Sequence, residues 1–196
     1  MIIGRIVKSN SHVDYVCHIF GEGEIPDTPR PRDHALGRFV RIPIAGEDSN
    51  VVGVIYDTLL VNPEFGNLGP RLSPESELEV FSPDYLNEKA VLVGIMALGH
   101  SYPTAQGPGH EMPTMAPTVG AEVHVLTDQE TAAFHRVGGR LRVGYLPRLA
   151  ATRNPMVTEV LVRILSRLHQ EFPAEARALD VLRKTLLWKS RVEEAS

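Results

Sequence analysis

Two histidines and a carboxylate lie in one stretch of the sequence that is rich in proline and glycine. His100 and His110 are ten positions apart, and Glu111 follows His110 directly. Imidazole and carboxylate groups together suit zinc or iron, so the three side chains are candidate ligands of a small metal- or ligand-binding enzyme. Their spacing fits no compact ligand motif, and a long loop loses entropy when it closes around an ion. The competing interpretation is a mobile, metal-free loop from Gly99 to Val119, solvated or part of an interface.

Other catalytic constellations are incomplete. Ser101 lies beside His100, but no Gly-x-Ser-x-Gly turn exposes it as a nucleophile. An ATPase motor needs a glycine-rich loop that ends in Gly-Lys-Ser or Gly-Lys-Thr, and this string does not occur in the sequence. The nearest glycine-basic segment, Gly138-Gly139-Arg140, lacks the lysine and the hydroxyl. We therefore predict that the chain neither hydrolyses ATP nor carries a cofactor.

Arginines form two clusters along the chain. The first contains Arg30, Arg32, Arg38 and Arg41, and the second contains Arg136, Arg140, Arg142 and Arg148. The candidate contact residues among them are Arg30, Arg32, Arg140 and Arg142. Either cluster could contact phosphate backbones or a partner protein, so direct nucleic-acid binding is one hypothesis. The alternative is that the arginines are solvated or paired with acids, because 20 basic against 24 acidic residues give a net charge of -4. Such a charge supplies no global attraction for nucleic acid.

Most of the chain before the second arginine cluster has the pattern of short strands, which are rich in β-branched residues and separated by turn residues. We predict strands over Ile2–Val7, Val13–Phe20, Gly37–Ile44, Val51–Leu60, Ala90–Leu98 and Ala121–Leu126. The single cysteine, Cys17, lies in an apolar run and is predicted to be a buried thiol. A loop is predicted over Asn62–Ser76 and a short helical turn at Ser82–Leu86. The pattern favours a mainly β domain over residues 1–126, a small closed or partly open β-barrel.

The last third has a helical period. Thr127 and Glu130 form a capping-box pattern, and Asn154 followed by Pro155 is typical of a helix start. A C-terminal α-helical hairpin is predicted within an extension over 127–196. Its apolar stripe and tryptophan are a possible oligomer interface, formed by Leu161, Leu165, Leu168, Leu182, Leu186 and Trp188.

Neither a signal peptide nor a membrane span is predicted. The first residues lack a basic flank followed by an apolar run, and no apolar stretch reaches about 18 residues. We therefore expect a cytoplasmic location without membrane contact.

Four segments resemble a HAS barrel, the small β-barrel at the amino end of HerA-type DNA translocases and of rotary ATP synthase subunits. They are Ile3–Val7, Val51–Asp57, Val91–Leu98 and Pro117–Val123. In HerA-type proteins the barrel precedes an ATPase motor, and the resemblance implies roles in ring assembly and in docking a partner nuclease. This sequence has the barrel pattern without the motor. The leading hypothesis is therefore a non-catalytic adaptor in DNA processing or repair, assembling with itself or with a separately encoded ATPase and nuclease.

Overall fold

A computed structural model describes residues 1–62, 90–102, 107–152 and 154–194. The predicted helical turn at Ser82–Leu86, and the predicted loop beyond Asn62, lie outside these residues. In the part of the chain that the structure describes, no helix combines the length and the apolar character needed to cross a membrane.

Six antiparallel strands close into a barrel. They are β1 (Ile2–Ser11), β2 (Asp14–Ile19), β3 (Phe39–Pro43), β4 (Asn50–Val61), β5 (Ala90–Ser101) and β6 (Glu122–Val125). Their order around the barrel is β1-β2-β5-β4-β3-β6, and β6 pairs with β1 to complete it. Each described strand of the ring pairs with two neighbours, which is how small antiparallel barrels avoid unwanted pairing. The predicted mainly β fold with a helical C-terminus is confirmed, and the barrel is closed.

Part of the barrel wall is buried on both of its faces. Along β4, Val51 and Ile55 belong to the core inside the barrel, whereas Val52, Val54 and Tyr56 belong to a second core shared with the helices. This explains the nearly continuous apolar run in β4, because a strand covered on both faces needs no polar side. Cys17 lies in the inner core and is fully buried, as predicted.

The last third folds as four helices and a small hairpin. The helices are α1 (Asp128–His135), α2 (Leu146–Ala150), α3 (Pro155–Glu171) and α4 (Ala176–Glu194), and the hairpin joins β7 (Arg136–Val137) to β8 (Arg140–Leu141). Gly138 and Gly139 form its turn with φ of 60° and 77°, a conformation that favours glycine. The predicted caps are confirmed, because Thr127 and Glu130 exchange hydrogen bonds and the Asn154 side chain accepts from the Met156 amide.

The helices cover the outer face of β3, β4 and β5 rather than forming a separate unit. One hydrophobic cluster joins barrel residues such as Val52 and Leu98 to α3 and α4, so the core continues across the predicted boundary at residue 126. The leucines of the predicted oligomer interface lie in this cluster. Four of them are at most 6% exposed and Leu182 is half-buried; the four are Leu161, Leu165, Leu168 and Leu186. These four are core residues of the chain itself and are not available to a second subunit.

A bulge in β5 is stabilised from α2. Val52 pairs with Gly99 and Gly53 pairs with Ala97, so Leu98 is the extra residue on its strand. The Arg148 guanidinium donates through Nη2 to the carbonyl oxygens of Ala97 at 3.2 Å and of Leu98 at 3.0 Å. Arg148 belongs to the second arginine cluster of the sequence, but its guanidinium bonds to the backbone of β5.

Candidate functional site

His110 connects the segment after β5 to the helical part of the chain. Its Nδ1 accepts a hydrogen bond from the Gly144 amide at 3.0 Å, which leaves the ring proton on Nε2. Nε2 then donates to the carbonyl oxygen of Phe134 at 2.9 Å. Burial lowers the pKa of His110, so the ring is neutral with both nitrogens in use.

His135 lies beside His110 and is also satisfied by the protein. Its Nδ1 donates to the Thr131 carbonyl oxygen at 2.8 Å, and its Nε2 accepts from the Tyr145 hydroxyl at 2.8 Å. Burial lowers the pKa of His135 to about 4 and raises that of Tyr145 well above its usual value. We call His110, His135 and Tyr145 the histidine cluster. Sequence analysis missed its last two members because they follow no motif.

The three candidate metal ligands do not form a metal centre. Within the described ranges, no group of three or more histidine, cysteine, aspartate or glutamate side chains is arranged to hold a metal ion. His110 has no free nitrogen with which to bind one, because its two ring nitrogens bond to the backbone. His100 and Glu111 are placed together, but they lack a third ligand there.

The segment from Gly99 to Val119, predicted to be a mobile loop, forms hydrogen bonds to the rest of the fold in its described parts. Its first residues complete β5, and His100 and Gly109 exchange backbone hydrogen bonds of 2.9 and 3.0 Å. Farther along, His12 donates from Nε2 to the Pro113 carbonyl oxygen at 2.7 Å. With the two bonds of His110, these contacts attach the described parts of the segment to the barrel and to α1, and the mobility of the loop stays a prediction.

His100 and Glu111 meet at Gly109 on one wall of a cleft. A Cβ on Gly109 would lie 2.2 Å from His100 Nε2 and 2.5 Å from Glu111 Oε2, so both groups pack against the bare α-carbon. Only glycine leaves room for this arrangement. We call the cleft, whose volume is about 270 Å³, the His100 cleft.

The floor of the His100 cleft includes a buried hydroxyl without a partner. Ser49 is 8% exposed, and its Oγ makes no hydrogen bond. Tyr102, Met112 and Met115 add aromatic and flexible apolar surface to the lining. A mostly apolar concavity with a few converging polar groups is the usual form of a small-molecule site.

The two arginine clusters of the sequence remain apart in the structure. Arg30 and Arg32 flank the start of the short 3-10 turn at Pro31–His34, and both are exposed. Arg140 and Arg142 are exposed on and beside β8. Of these four, Arg32 lines a cleft between the barrel and α3.

The outward face of α4 carries apolar side chains. Val181 is 59% exposed and Trp188 is 67% exposed, and their seven-residue spacing puts them on one helical face. Leu179 and Leu186 have the same spacing and are at most 6% exposed on the packed face. We call Val181 and Trp188 the α4 face. Of the six residues predicted for an interface, only Trp188 lies fully on the surface.

The described residues define a closed six-stranded antiparallel barrel whose outer face is covered by a helical hairpin, with neutral histidines buried at the junction. A comparison with family profiles matches the whole chain, residues 1–196, to the family described as a domain of unknown function (DUF8166), and the chain belongs to this family. A comparison with curated proteins found no match.

Proposed function

We propose that this chain is a non-catalytic assembly module that binds a protein partner through the α4 face. Trp188 carries the proposal, because two thirds of a large aromatic side chain is exposed on a helix whose opposite face is buried. Tryptophan is among the residues most enriched at the centres of protein interfaces. Val181 extends the apolar surface by two helical turns, which is the length a helix-mediated contact uses.

A separately encoded HerA-type translocase or its nuclease is the partner that the HAS-barrel resemblance suggests, in DNA processing or repair. The closed barrel is the architecture that the resemblance requires. These 196 residues contain no phosphate-binding loop, so the proposal assigns ATP-driven work to the partner. The proposal also includes self-assembly, in which a second copy of the chain binds to the α4 face.

The test is affinity purification of the tagged chain from its native host. We expect a RecA-like ATPase to co-purify with the wild type and with Val119→Asp, and to be lost with Trp188→Asp. Val119 is the matched control, because it is an apolar residue that is 74% exposed in the segment before β6. Light scattering on the purified chain separates self-assembly from binding to another protein. A wild type that is monomeric and recovers no ATPase would contradict the proposal.

A second candidate function is small-molecule binding in the His100 cleft, and the Ser49 hydroxyl favours it. A buried polar group without a hydrogen bond is costly, and a ligand that bonds to it would recover that cost. The ligand would combine an apolar part with a hydrogen-bonding group. Native mass spectrometry of the purified chain should show a bound mass that is lost in Ser49→Ala and kept in Ser9→Ala, an exposed serine on β1. An identical spectrum for all three proteins would rule out ligand binding through Ser49 in the His100 cleft.

A further inference from the structure

A cleft between the barrel and α3 is lined by arginines. Its volume is about 290 Å³, and one wall is the segment that leads into β3 while the other is α3. We call it the arginine cleft, and its charged lining consists of Arg32, Arg38, Arg163 and Arg167. Among the described residues, no carboxylate side chain lines it. The cleft therefore brings four arginines from two parts of the chain around one small volume.

Among the residues that the structure describes, Arg38 is the arginine of the cleft that forms no ion pair. Its backbone is fixed, because the Arg38 amide donates to Ala35 and its carbonyl oxygen accepts from Ile55. Its Nε is buried and has no hydrogen-bond partner, and among the described residues its guanidinium enters no ion pair. A buried donor without a partner is costly, so a ligand that accepts a hydrogen bond from the Arg38 side chain would recover that cost.

The other three arginines are held in place from outside the cleft. Arg32 lies 3.9 Å from Asp33 through Nε, and Arg163 lies 2.9 Å from Glu159 through Nε. Both contacts are made through Nε, and each guanidinium has further N–H donors on its two Nη atoms.

Arg167 is held by two carboxylates. It pairs with Asp128 through Nη2, and with Glu171 through Nε at 3.5 Å. Its guanidinium also stacks over the Phe39 ring with 5.9 Å to the centroid. The ion pairs therefore orient the three guanidinium groups without using all of their donors.

We propose that the arginine cleft binds the phosphate group of a small phosphorylated ligand or free inorganic phosphate. Guanidinium groups match the oxygens of a phosphate with paired, charge-assisted hydrogen bonds, and Arg38 supplies a positive charge that no carboxylate of the described residues pairs with. A single tetrahedral anion accepts hydrogen bonds from several directions, which suits a cleft lined by four arginines.

Nucleic acid fits the cleft less well than one phosphate does. Arg140 and Arg142 do not line it, so these two arginines do not extend the cleft into a basic track for a phosphate backbone. Phe39, the aromatic side chain in the lining, is 1% exposed and gives a base no ring to stack on.

The test is isothermal titration of the full chain with inorganic phosphate at low ionic strength. We expect Arg38→Gln to weaken binding about tenfold or more, the usual effect of removing a hydrogen bond to a charged group. Arg163→Gln should also weaken it, and this exposed residue can be replaced without harming the core. Arg140→Gln is the matched control and should bind as the wild type does. If Arg38→Gln does not fold, the comparison of phosphate binding by Arg163→Gln and by Arg140→Gln tests the proposal instead.

Further titrations identify the source of the phosphate. Adenosine monophosphate that binds more tightly than inorganic phosphate, with the same dependence on Arg163, would support the proposal and indicate a nucleotide. The proposal is overturned if wild type binds neither phosphate nor adenosine monophosphate, or if Arg140→Gln weakens binding as much as Arg163→Gln does. Binding of a single-stranded oligonucleotide without binding of inorganic phosphate or adenosine monophosphate would overturn it in favour of a nucleic-acid surface.

Discussion

Acidification should destabilise the fold through His135 before the carboxylates titrate. Burial lowers the pKa of His135 to about 4 in the folded chain, whereas an exposed histidine has a pKa of about 6.5. Between these values the unfolded chain binds the proton and the folded chain does not. The contribution of His135 to the free energy of unfolding is therefore fully present above about pH 6.5 and is lost as the pH falls towards 4.

The size of the effect follows from the pKa difference. Each pKa unit corresponds to about 1.4 kcal/mol, so lowering the pH from 7 to 5 should remove about 2 kcal/mol of unfolding free energy through His135 alone. His135 is buried and its two nitrogens are bonded within the protein, so solvent does little to reduce this value. The lowered pKa of His110 acts in the same direction.

Urea unfolding at pH 7, 6 and 5 would measure this effect. His135→Gln keeps a side chain that can hydrogen-bond to Thr131 and Tyr145 but does not titrate, so its stability should fall by about 2 kcal/mol less than that of the wild type. His169→Gln is the control, because this histidine on α3 is 42% exposed. Equal pH dependence in the wild type and in His135→Gln would refute the reasoning.

Three further predictions concern the core. Leu165→Asp buries a charge in the core shared by barrel and helices, so it should cost about 3 kcal/mol or more and lower the melting temperature at every protein concentration. Gly99→Ala puts a Cβ 2.0 Å from the Gly109 carbonyl oxygen and should cost about 1–3 kcal/mol in urea unfolding. Gly107→Ala meets nothing within 4 Å and should cost little. Because burial raises the pKa of Cys17 to about 12, a thiol reagent should label this residue only after unfolding.

Local patterns in the sequence predict much of the fold. The six barrel strands follow from β-branched runs between turn residues, and the Thr127 and Asn154 caps follow from side chains that bond to nearby amides. Where β5 ends was harder to predict, because the polar His100 and Ser101 pair with β4 through the backbone. Gly138 and Gly139 predict an interruption of the helical pattern, but the two glycines alone do not predict that the residues on either side pair as a hairpin.

The functional residues were less predictable because their contacts join distant parts of the chain. His100, His110 and Glu111 have metal-binding chemistry, but hydrogen bonds to Phe134 and Gly144 occupy the nitrogens of His110. No local pattern encodes those bonds. The leucine stripe predicts a buried surface correctly, yet periodicity cannot distinguish a chain's own barrel from a second subunit.

Photo-crosslinking from position 188 would test the assembly proposal most directly. A photoreactive phenylalanine analogue replaces Trp188 in the full chain in its native host, and the same analogue at position 119 is the control. We expect position 188 to crosslink to a RecA-like ATPase, or to a second copy of the chain, and position 119 to give neither product. If position 188 yields no protein crosslink, or the same products as position 119, the α4 face is not an interface and the central claim is wrong.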